Sequence, residues 1–530
     1  MDITTHIPAN TPSETFGYFI WGNRQYRIIL WIAAAAMVIQ FGVFKYIYPY
    51  ASYIHGDSFV YLNIAQQNLN IDAYLVGYGR FLRMFSVFGS SDLVLTAFQY
   101  LLLQGSALFL LFTLFYFNRP SRRVQHLLLA FMVLNPLFLG LANLISSDGL
   151  FVALSLSWFA LLLWIMHRPN NIVMVCHALV VFAAFTVRYN ALIYPGIALI
   201  AFLLSPQSWG QKMAGAAVGI ILCGLFVLYN GHQYKKLTGT WQYSPFSGWL
   251  MANNAMYAYR YVDSADRKPV PQRFKVLDNM IRTYFDSSRD VKTHPVEGLI
   301  ASTAYMWTPS LPLYVYRERL FKKDSRTSEV RKWASMGPLY GDYGRYIIRK
   351  YPLQYARYFL WPNVNKYYAP PLEFLETYNS GRDSVQPVAQ QWFGYKSNKV
   401  KVRSKTFQAQ LLGFYPIFSG IINVVMLCLL LCFVLLKGFR EHTLFRKGVL
   451  MGGGVWLLNA GFTIFASSAA LRFQAFPILL TSTFTLLLLD WLWQKGLEEK
   501  RVTVQQSRQE PISASYADEA IEPGEIHHSF

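Results

Sequence analysis

Charged side chains and cysteines are scarce in this sequence. Only 14% of its 530 residues are charged, whereas 54% are hydrophobic, and that balance excludes an ordinary water-soluble domain and favours a membrane protein. The four cysteines, Cys176, Cys223, Cys428 and Cys432, all lie inside apolar runs. A disulfide framework is therefore excluded for any domain outside the membrane.

Long apolar runs are what the chain has instead. A helix of about 18 or more apolar residues can cross a hydrocarbon layer of ~30 Å. The pattern predicts an all-α polytopic membrane protein with about ten transmembrane helices, at residues 28–47, 92–117, 124–143, 149–166, 172–187, 190–204, 213–230, 411–436, 448–466 and 473–493. The two runs that meet at Arg188 are short, and a re-entrant pair there would leave the orientation of the later helices unchanged.

Basic residues of the short loops between predicted spans fall mainly on one side of the membrane. That side holds Arg119, Arg122, Arg123, Arg168, Lys212, Lys437, Arg440, Arg446, Lys447 and Lys495. Because short loops rich in Lys and Arg stay in the cytoplasm, the pattern predicts a multi-pass protein of the bacterial inner (plasma) membrane with cytoplasmic N- and C-termini. The first span lacks the small-residue cleavage site of a secretory signal, so we interpret it as an uncleaved anchor.

Two carboxylates lie at the mouths of predicted spans on the side away from the cytoplasm. Asp57, in the stretch His55–Tyr61, follows the first span by about ten residues, and Asp148 immediately precedes the span at 149–166. A carboxylate can accept a proton from a reacting group. Their common face suggests a reaction at the outer surface of the membrane.

One long stretch without a convincing span divides the chain. We predict a cytoplasmic N-terminus at 1–27, an N-terminal transmembrane module with catalytic external loops at 28–230, a mainly helical extracytoplasmic domain at 231–410, a C-terminal transmembrane module at 411–494 and a disordered cytoplasmic tail at 495–530. The extracytoplasmic domain has 28 Lys and Arg against 13 Asp and Glu, without a nucleic-acid-binding motif. Membrane lipids or a phosphate-bearing substrate are therefore the expected partners, not nucleic acid.

Four segments resemble motifs of the GT-C superfamily. These polytopic glycosyltransferases take sugars from polyprenyl-phosphate carriers and include the protein O-mannosyltransferase and aminoarabinose-transferase-like families. The matching segments are Gly56–Tyr61, Ser147–Phe151, Arg188–Pro195 and Leu471–Pro477. The resemblance covers the spans up to about residue 205 and the last span, and it says little about 231–410. The acid of the first segment follows His55 and Gly56, whereas protein mannosyltransferases have paired adjacent acids, so subfamily and metal use stay open.

The resemblance implies a cell-envelope glycosyltransferase, moving a hexosyl or pentosyl group to a lipid, glycan or protein acceptor on the extracytoplasmic face. Asp57 would be the base that takes the acceptor's proton, and Asp148 would orient the acceptor or share a divalent cation, Mg²⁺ or Mn²⁺, with Asp57. The implied substrate-binding residues are His55, Tyr61, Arg80, Arg188, Tyr189 and Arg472. Arginine suits the leaving phosphate because its guanidinium presents forked donors and keeps its charge.

Other interpretations of the same residues stay open. Asp57 and Asp148 could be helix caps, and Arg188 and Arg472 could extend to lipid head groups. An O-antigen-ligase-like or polymerase-like enzyme would place its key Arg and His in the large loop, which contains His294. A membrane transporter would place ionisable groups near the middle of its spans, whereas these acids lie at span ends.

Overall fold

The computed structural model describes residues 14–287, 301–324, 326–441, 443–466 and 468–509, with side chains described as far as Lys500. Within these ranges the protein is built from helices, and the β-structure consists of two isolated bridges, Ser52 with Leu144 and Ser384 with Lys399. The predicted all-α class is confirmed.

The helices fall into three consecutive groups. The first group is α1 Phe16–Trp21, α2 Arg24–Ile47, α3 Asp57–Gln67, α4 Gly77–Phe85, α5 Asp92–Asn118, α6 Arg122–Val133, α7 Pro136–Ala142, α8 Ser147–His167, α9 Asn171–Val187, α10 Tyr194–Leu203 and α11 Trp209–Thr238. The second is α12 Pro245–Tyr259, α13 Lys275–Ser287, α14 Ala304–Trp307, α15 Pro312–Leu320, α16 Glu329–Lys350, α17 Pro352–Tyr355, α18 Trp361–Tyr368 and α19 Pro387–Phe393. The third is α20 Phe407–Leu412, α21 Tyr415–Leu435, α22 Thr443–Ala466 and α23 Leu471–Gln509.

Eight helical segments in the described residues are long and apolar enough to cross a membrane. They are α2, α5, the α6–α7 pair, α8, α11, the α20–α21 pair, α22 and the first 30 residues of α23. The other two predicted spans, α9 and α10, are apolar but shorter. At 1.5 Å per residue, a 17-residue helix reaches only about 25 Å, less than the ~30 Å hydrocarbon layer. The structure therefore supports a multi-pass membrane protein with eight full-length candidate spans, not ten.

α8 lies at the centre of the helix bundle. It is apolar on all sides and packs against α5, α9 and α23. A helix without a polar face is expected in the interior of a bundle, because no side of it favours water. The N-terminal residue pair Ser147 and Asp148 is therefore buried with it.

The second group of helices has its own aromatic core, built around α12 and α16. The two helices approach closely at Gly248 and Gly344, where an added Cβ would meet backbone atoms of the opposite helix at 1.9 and 2.5 Å. Indole rings of Trp249 and Trp333 stack beside this contact, 5.4 Å apart. This unit packs on the end of the bundle that contains Asp57, which we term the Asp57 end. Its place outside the cell stays a prediction.

The opposite end of the bundle gathers residues that were predicted to be cytoplasmic. Lys447 Nζ donates to carbonyls of Met166 and Leu204, and the backbone N–H of Ser121 donates to Asp490 at 2.7 Å. The loops after α5, α8, α10 and α21 therefore share one end, as the basic pattern requires. Which end faces the cytoplasm stays a prediction.

The C-terminal helix is longer than predicted. α23 continues to Gln509, so the tail predicted to be disordered from 495 is helical over its first part. The remainder of that predicted tail lies outside the described residues.

Candidate active site

Backbone hydrogen bonds join the two segments that precede the candidate carboxylates. The Ser52 N–H donates to the Asn143 carbonyl at 2.8 Å, and the Ile145 N–H donates to the Ser52 carbonyl at 3.0 Å. The Ser52 hydroxyl in turn accepts the Asn379 N–H at 2.9 Å. Because α3 begins five residues after Ser52 and α8 two residues after Ile145, this pairing places their N-termini side by side.

Asp57 is the first residue of α3, and its side chain faces the site instead of its own helix. Gly56 precedes it with φ +102°, a conformation that favours glycine. Oδ1 of Asp57 accepts the Tyr74 hydroxyl at 2.7 Å, and Oδ2 accepts Arg472 Nη1 at 3.1 Å. No backbone N–H of α3 is capped by this carboxylate. The interpretation of Asp57 as a helix cap is therefore wrong.

Asp148 lies in the first turn of α8 and is fully buried. One carboxylate oxygen pairs with Arg188, and the other accepts the Ser146 hydroxyl and, at 3.1 Å, Arg472 Nη1. The residue preceding α8 is Ser146, and α8 has no side-chain cap. The capping interpretation of Asp148 is wrong as well, and this carboxylate instead holds both site arginines.

The two arginines converge on the carboxylates from different helices. Arg188 ends α9, Arg472 begins α23, and their side chains are only 15% and 6% exposed. The Phe473 ring packs against both guanidinium groups, at 4.6 Å from Arg188 and 4.2 Å from Arg472. Such contacts favour a desolvated cation. Neither side chain extends to lipid head groups, so that interpretation is wrong.

The four charged groups form one network with balanced formal charge. Arg472 Nη1 lies 3.1 Å from an oxygen of Asp57 and 3.1 Å from an oxygen of Asp148, and Arg188 pairs with Asp148. Burying charges is costly unless opposite charges and hydrogen bonds accompany them. The opposite charges of the network compensate one another, and Asp57, at 22% side-chain exposure, is the more exposed of its two carboxylates.

A divalent cation shared by Asp57 and Asp148 does not fit these side chains as they stand. Such cations take several oxygen ligands at about 2.0–2.6 Å, whereas a guanidinium nitrogen of Arg472 lies between the two carboxylates. Within the described ranges, no group of three or more His, Cys, Asp or Glu side chains could hold a metal ion.

Two tyrosines frame the network on the side of α3. The Tyr61 hydroxyl donates to Ser147 at 3.1 Å, and its ring lies 5.5 Å from that of Tyr74. Burial and the nearby charge of Asp57 raise the pKa of Tyr61 to about 12. Burial and Asp57 likewise hold the pKa of Tyr74 well above its usual value of 10. Both phenols therefore stay protonated and act as hydrogen-bond donors.

The remaining predicted substrate-binding residues lie apart from the carboxylates. His55 packs edge-on against Phe59, and burial and the charge of Arg382 lower its pKa. Arg80 is held by Asn68 and Asn70 on the surface of α4. The structure thus does not bring His55 or Arg80 into the charged network. His294, the candidate of the polymerase-like alternative, lies outside the described residues.

Tyr189 belongs to an aromatic wall above the network. Its ring stacks on Phe246 at 5.4 Å, and Phe246 and Trp307 lie 6.3 and 5.6 Å from Tyr74. Phe246, Trp307 and Tyr74 are each partly exposed. Aromatic faces of this kind suit the apolar face of a sugar ring or of a lipid chain.

Sequence reasoning missed three residues around the network, two of which contact it directly. Tyr74 binds Asp57, the Phe374 ring lies 5.0 Å from the Arg472 guanidinium, and Glu373 interacts electrostatically with Arg472. Tyr74 lies in the loop between α3 and α4, outside the matching motifs, and Phe374 and Glu373 lie in the large region that matched no motif. Only the Pro370–Pro371 pair ahead of them indicated a fixed turn there.

Comparison of the chain with protein-family models, with characterised proteins and with solved structures found no match.

Proposed function

We propose that the protein is a membrane glycosyltransferase that moves a sugar from a polyprenyl-phosphate donor to a hydroxyl acceptor at the extracytoplasmic face. The observation that carries the proposal is the single guanidinium of Arg472 bound between Asp57 and Asp148. These three residues and Arg188 come from distant parts of the chain. A purely structural ion pair needs one partner of each charge, whereas this network combines a more exposed carboxylate with two arginines, the side-chain type that suits a phosphate group.

In the proposed reaction, the negative charge of Asp57 and the positive charges of the two arginines have different tasks. Asp57 is the more exposed carboxylate, so an acceptor hydroxyl can reach it and transfer its proton to it. The acceptor oxygen then forms a bond to the anomeric carbon, and the bond from that carbon to the phosphate oxygen breaks. The polyprenyl phosphate leaves with the electron pair of that bond. Arg188 and Arg472 stabilise the negative charge that develops on it.

Donor binding and base activation are linked through Arg472. Its Nη1 is shared by the two carboxylates, while its Nε is buried without a hydrogen-bond partner among the described residues. A donor phosphate that takes up hydrogen bonds from Arg472 competes with Asp57 for the positive charge. Donor binding would then release Asp57 from Arg472 and leave its carboxylate free to accept a hydrogen bond from the acceptor hydroxyl.

The acceptor is proposed to lie along the aromatic wall. Tyr74 contributes its hydroxyl to Asp57 and its ring to the wall with Phe246 and Trp307. A ring stacked there would present a hydroxyl group to Asp57. A lipid, glycan or protein acceptor that displays such a hydroxyl group meets this requirement.

The test is Asp57→Asn in purified protein supplied with a panel of polyprenyl-phosphate hexoses and pentoses. Asn keeps the size and the hydrogen bond from Tyr74 but cannot accept the proton, so transfer should fall by roughly 10² or more. Asp383→Asn is the matched control, because Asp383 is 69% exposed and its carboxylate pairs with Lys405 on the surface. Near-native turnover by Asp57→Asn would exclude Asp57 as the base.

A further inference from the structure

A short segment from the middle of the chain covers the arginine that links the two carboxylates. The segment is 370–374, which we term the strap. The carbonyl of Pro371 accepts the N–H of Leu471 at 2.8 Å, one residue before Arg472. The ring of Phe374 lies 5.0 Å from the Arg472 guanidinium. The strap is therefore fixed to the site at two points.

The strap has an unfavourable backbone at the residues nearest to the site. Glu373 and Phe374 have φ +20° and +66°, the left-handed region that side chains with a Cβ rarely adopt. Glycine would adopt this conformation at lower cost, yet the positions carry a carboxylate and a large ring. Strained residues of this kind cluster at binding and catalytic sites, where a side chain has to be held in one place.

Glu373 brings a third carboxylate to the network, and one of its oxygens is unused. Oε2 is buried without a hydrogen-bond partner among the described residues, and so is Nε of Arg472. Burial raises the pKa of Glu373, while the charges of Arg472 and Lys366 lower it. An unsatisfied buried acceptor and an unsatisfied buried donor are each costly, and here they interact with one another's charge.

A hydroxyl group of a ligand can satisfy both the acceptor Oε2 of Glu373 and the donor Nε of Arg472. A hydroxyl donates one hydrogen bond and accepts others, so it can donate to Oε2 of Glu373 and accept from Nε of Arg472. An amine cation could not accept from Arg472, and a phosphate could not donate to Glu373. A carbohydrate hydroxyl is therefore favoured at this position.

We propose that Glu373 is a specificity-determining residue, which together with Nε of Arg472 binds one hydroxyl of a sugar ring next to Asp57. The inference rests on the proposed glycosyl transfer and adds the residue that selects among sugars. The ring can belong to the donor or to the acceptor, since both meet at the network.

The test compares each substrate with analogues that lack a single hydroxyl. With wild-type protein, kcat/KM is measured for a polyprenyl-phosphate sugar that it uses and for its monodeoxy analogues, and then for the acceptor and its monodeoxy analogues. One analogue should lose roughly 10- to 100-fold, the range for a hydrogen bond to a charged group. A loss among the donor analogues would show that Glu373 contacts the donor sugar, and a loss among the acceptor analogues would show that it contacts the acceptor.

In Glu373→Ala, the natural substrate should lose the same factor, and discrimination against that one analogue should fall to roughly 3-fold or less. A merely structural residue would lower the activity on all analogues equally. Glu373→Gln keeps the size and one acceptor oxygen and should discriminate to an intermediate extent, which preserves the test if Glu373→Ala does not fold. Glu376→Gln is the matched control, because Glu376 is an exposed acid close to the strap that accepts the Phe374 N–H, and Gln keeps an oxygen for that hydrogen bond.

Wild-type discrimination in both Glu373 variants would overturn the assignment of Glu373. That result is distinct from a failure of the proposed function, which would appear as wild-type protein that transfers no sugar from any donor of the panel. Transfer that depends on Asp57 but shows unchanged hydroxyl discrimination in the Glu373 variants would leave glycosyl transfer intact and refute only the role of Glu373.

Discussion

Replacing Asp148 by Asn should destabilise the protein more than replacing Asp57 by Asn, although Asp57 is the proposed base. The Asp148 carboxylate is fully buried and pairs with two arginines, whereas Asp57 is 22% exposed and pairs with one. An Asn at 148 can accept from one arginine only, and its amide N–H groups would face the other. Arg188 would then lack a carboxylate partner among the described residues, while Arg472 would keep Asp57.

The expected magnitudes follow from this difference in burial. Leaving a buried charge without its partner costs about 3–5 kcal/mol, so Asp148→Asn should lower the free energy of unfolding by that amount. Asp57→Asn keeps the hydrogen bond from Tyr74 and lies closer to water, so its cost should be about 1–2 kcal/mol. Activity should show the opposite order for protein that remains folded, because only Asp57 takes the proton.

The assay is denaturant unfolding of the detergent-solubilised protein, with intrinsic tryptophan fluorescence as the signal that reports unfolding. The double variant Asp148→Asn with Arg188→Gln is the internal check, since it restores the charge balance and should recover part of the lost stability. An Asp148→Asn variant as stable as wild type would refute the description of the network as a buried, mutually dependent set of charges.

Two further predictions concern the donor and the topology. Arg472→Lys keeps the positive charge but loses the forked pair of guanidinium donors, so its affinity for polyprenyl phosphate should fall roughly 10-fold. Arg472→Ala loses the charge as well, and its affinity should fall roughly 100-fold or more. Wild-type affinity in both variants would contradict the phosphate contact. In a variant without the four native cysteines, Lys322→Cys should react with a membrane-impermeant thiol reagent added outside the cell, and Lys447→Cys should react only after permeabilisation. The reverse pattern would place the carboxylates on the cytoplasmic side.

The helices could largely be predicted from the sequence, and the exceptions have local causes. Each predicted span overlaps an observed helix, because a long apolar run favours a helix wherever it is buried. α9 and α10 are shorter than the eight candidate spans, and the sequence already indicated this by the polar break at Arg188. α23 exceeded its prediction because a helix can continue into polar residues after its apolar part ends.

The site was predictable in part. The acids at the start of α3 and α8 and the arginines at 188 and 472 were candidates from the sequence, and the structure brings all four together. His55 and Arg80 were equally plausible candidates, but their contacts lead elsewhere. Whether a polar residue near a span end faces the site depends on how neighbouring helices rotate, which a one-dimensional pattern does not contain.

The sequence by itself determined that the chain is helical, that it is built from membrane-length apolar segments, and that its few acids at span ends are candidates for chemistry. These are local properties, set by composition and spacing within about 20 residues. Only the tertiary structure decided that Arg472 lies between Asp57 and Asp148, and that the strap places the Phe374 ring against it. The physical reason is that a buried charge selects its partners by proximity in space, and that proximity arises from packing among helices up to 415 residues apart in sequence.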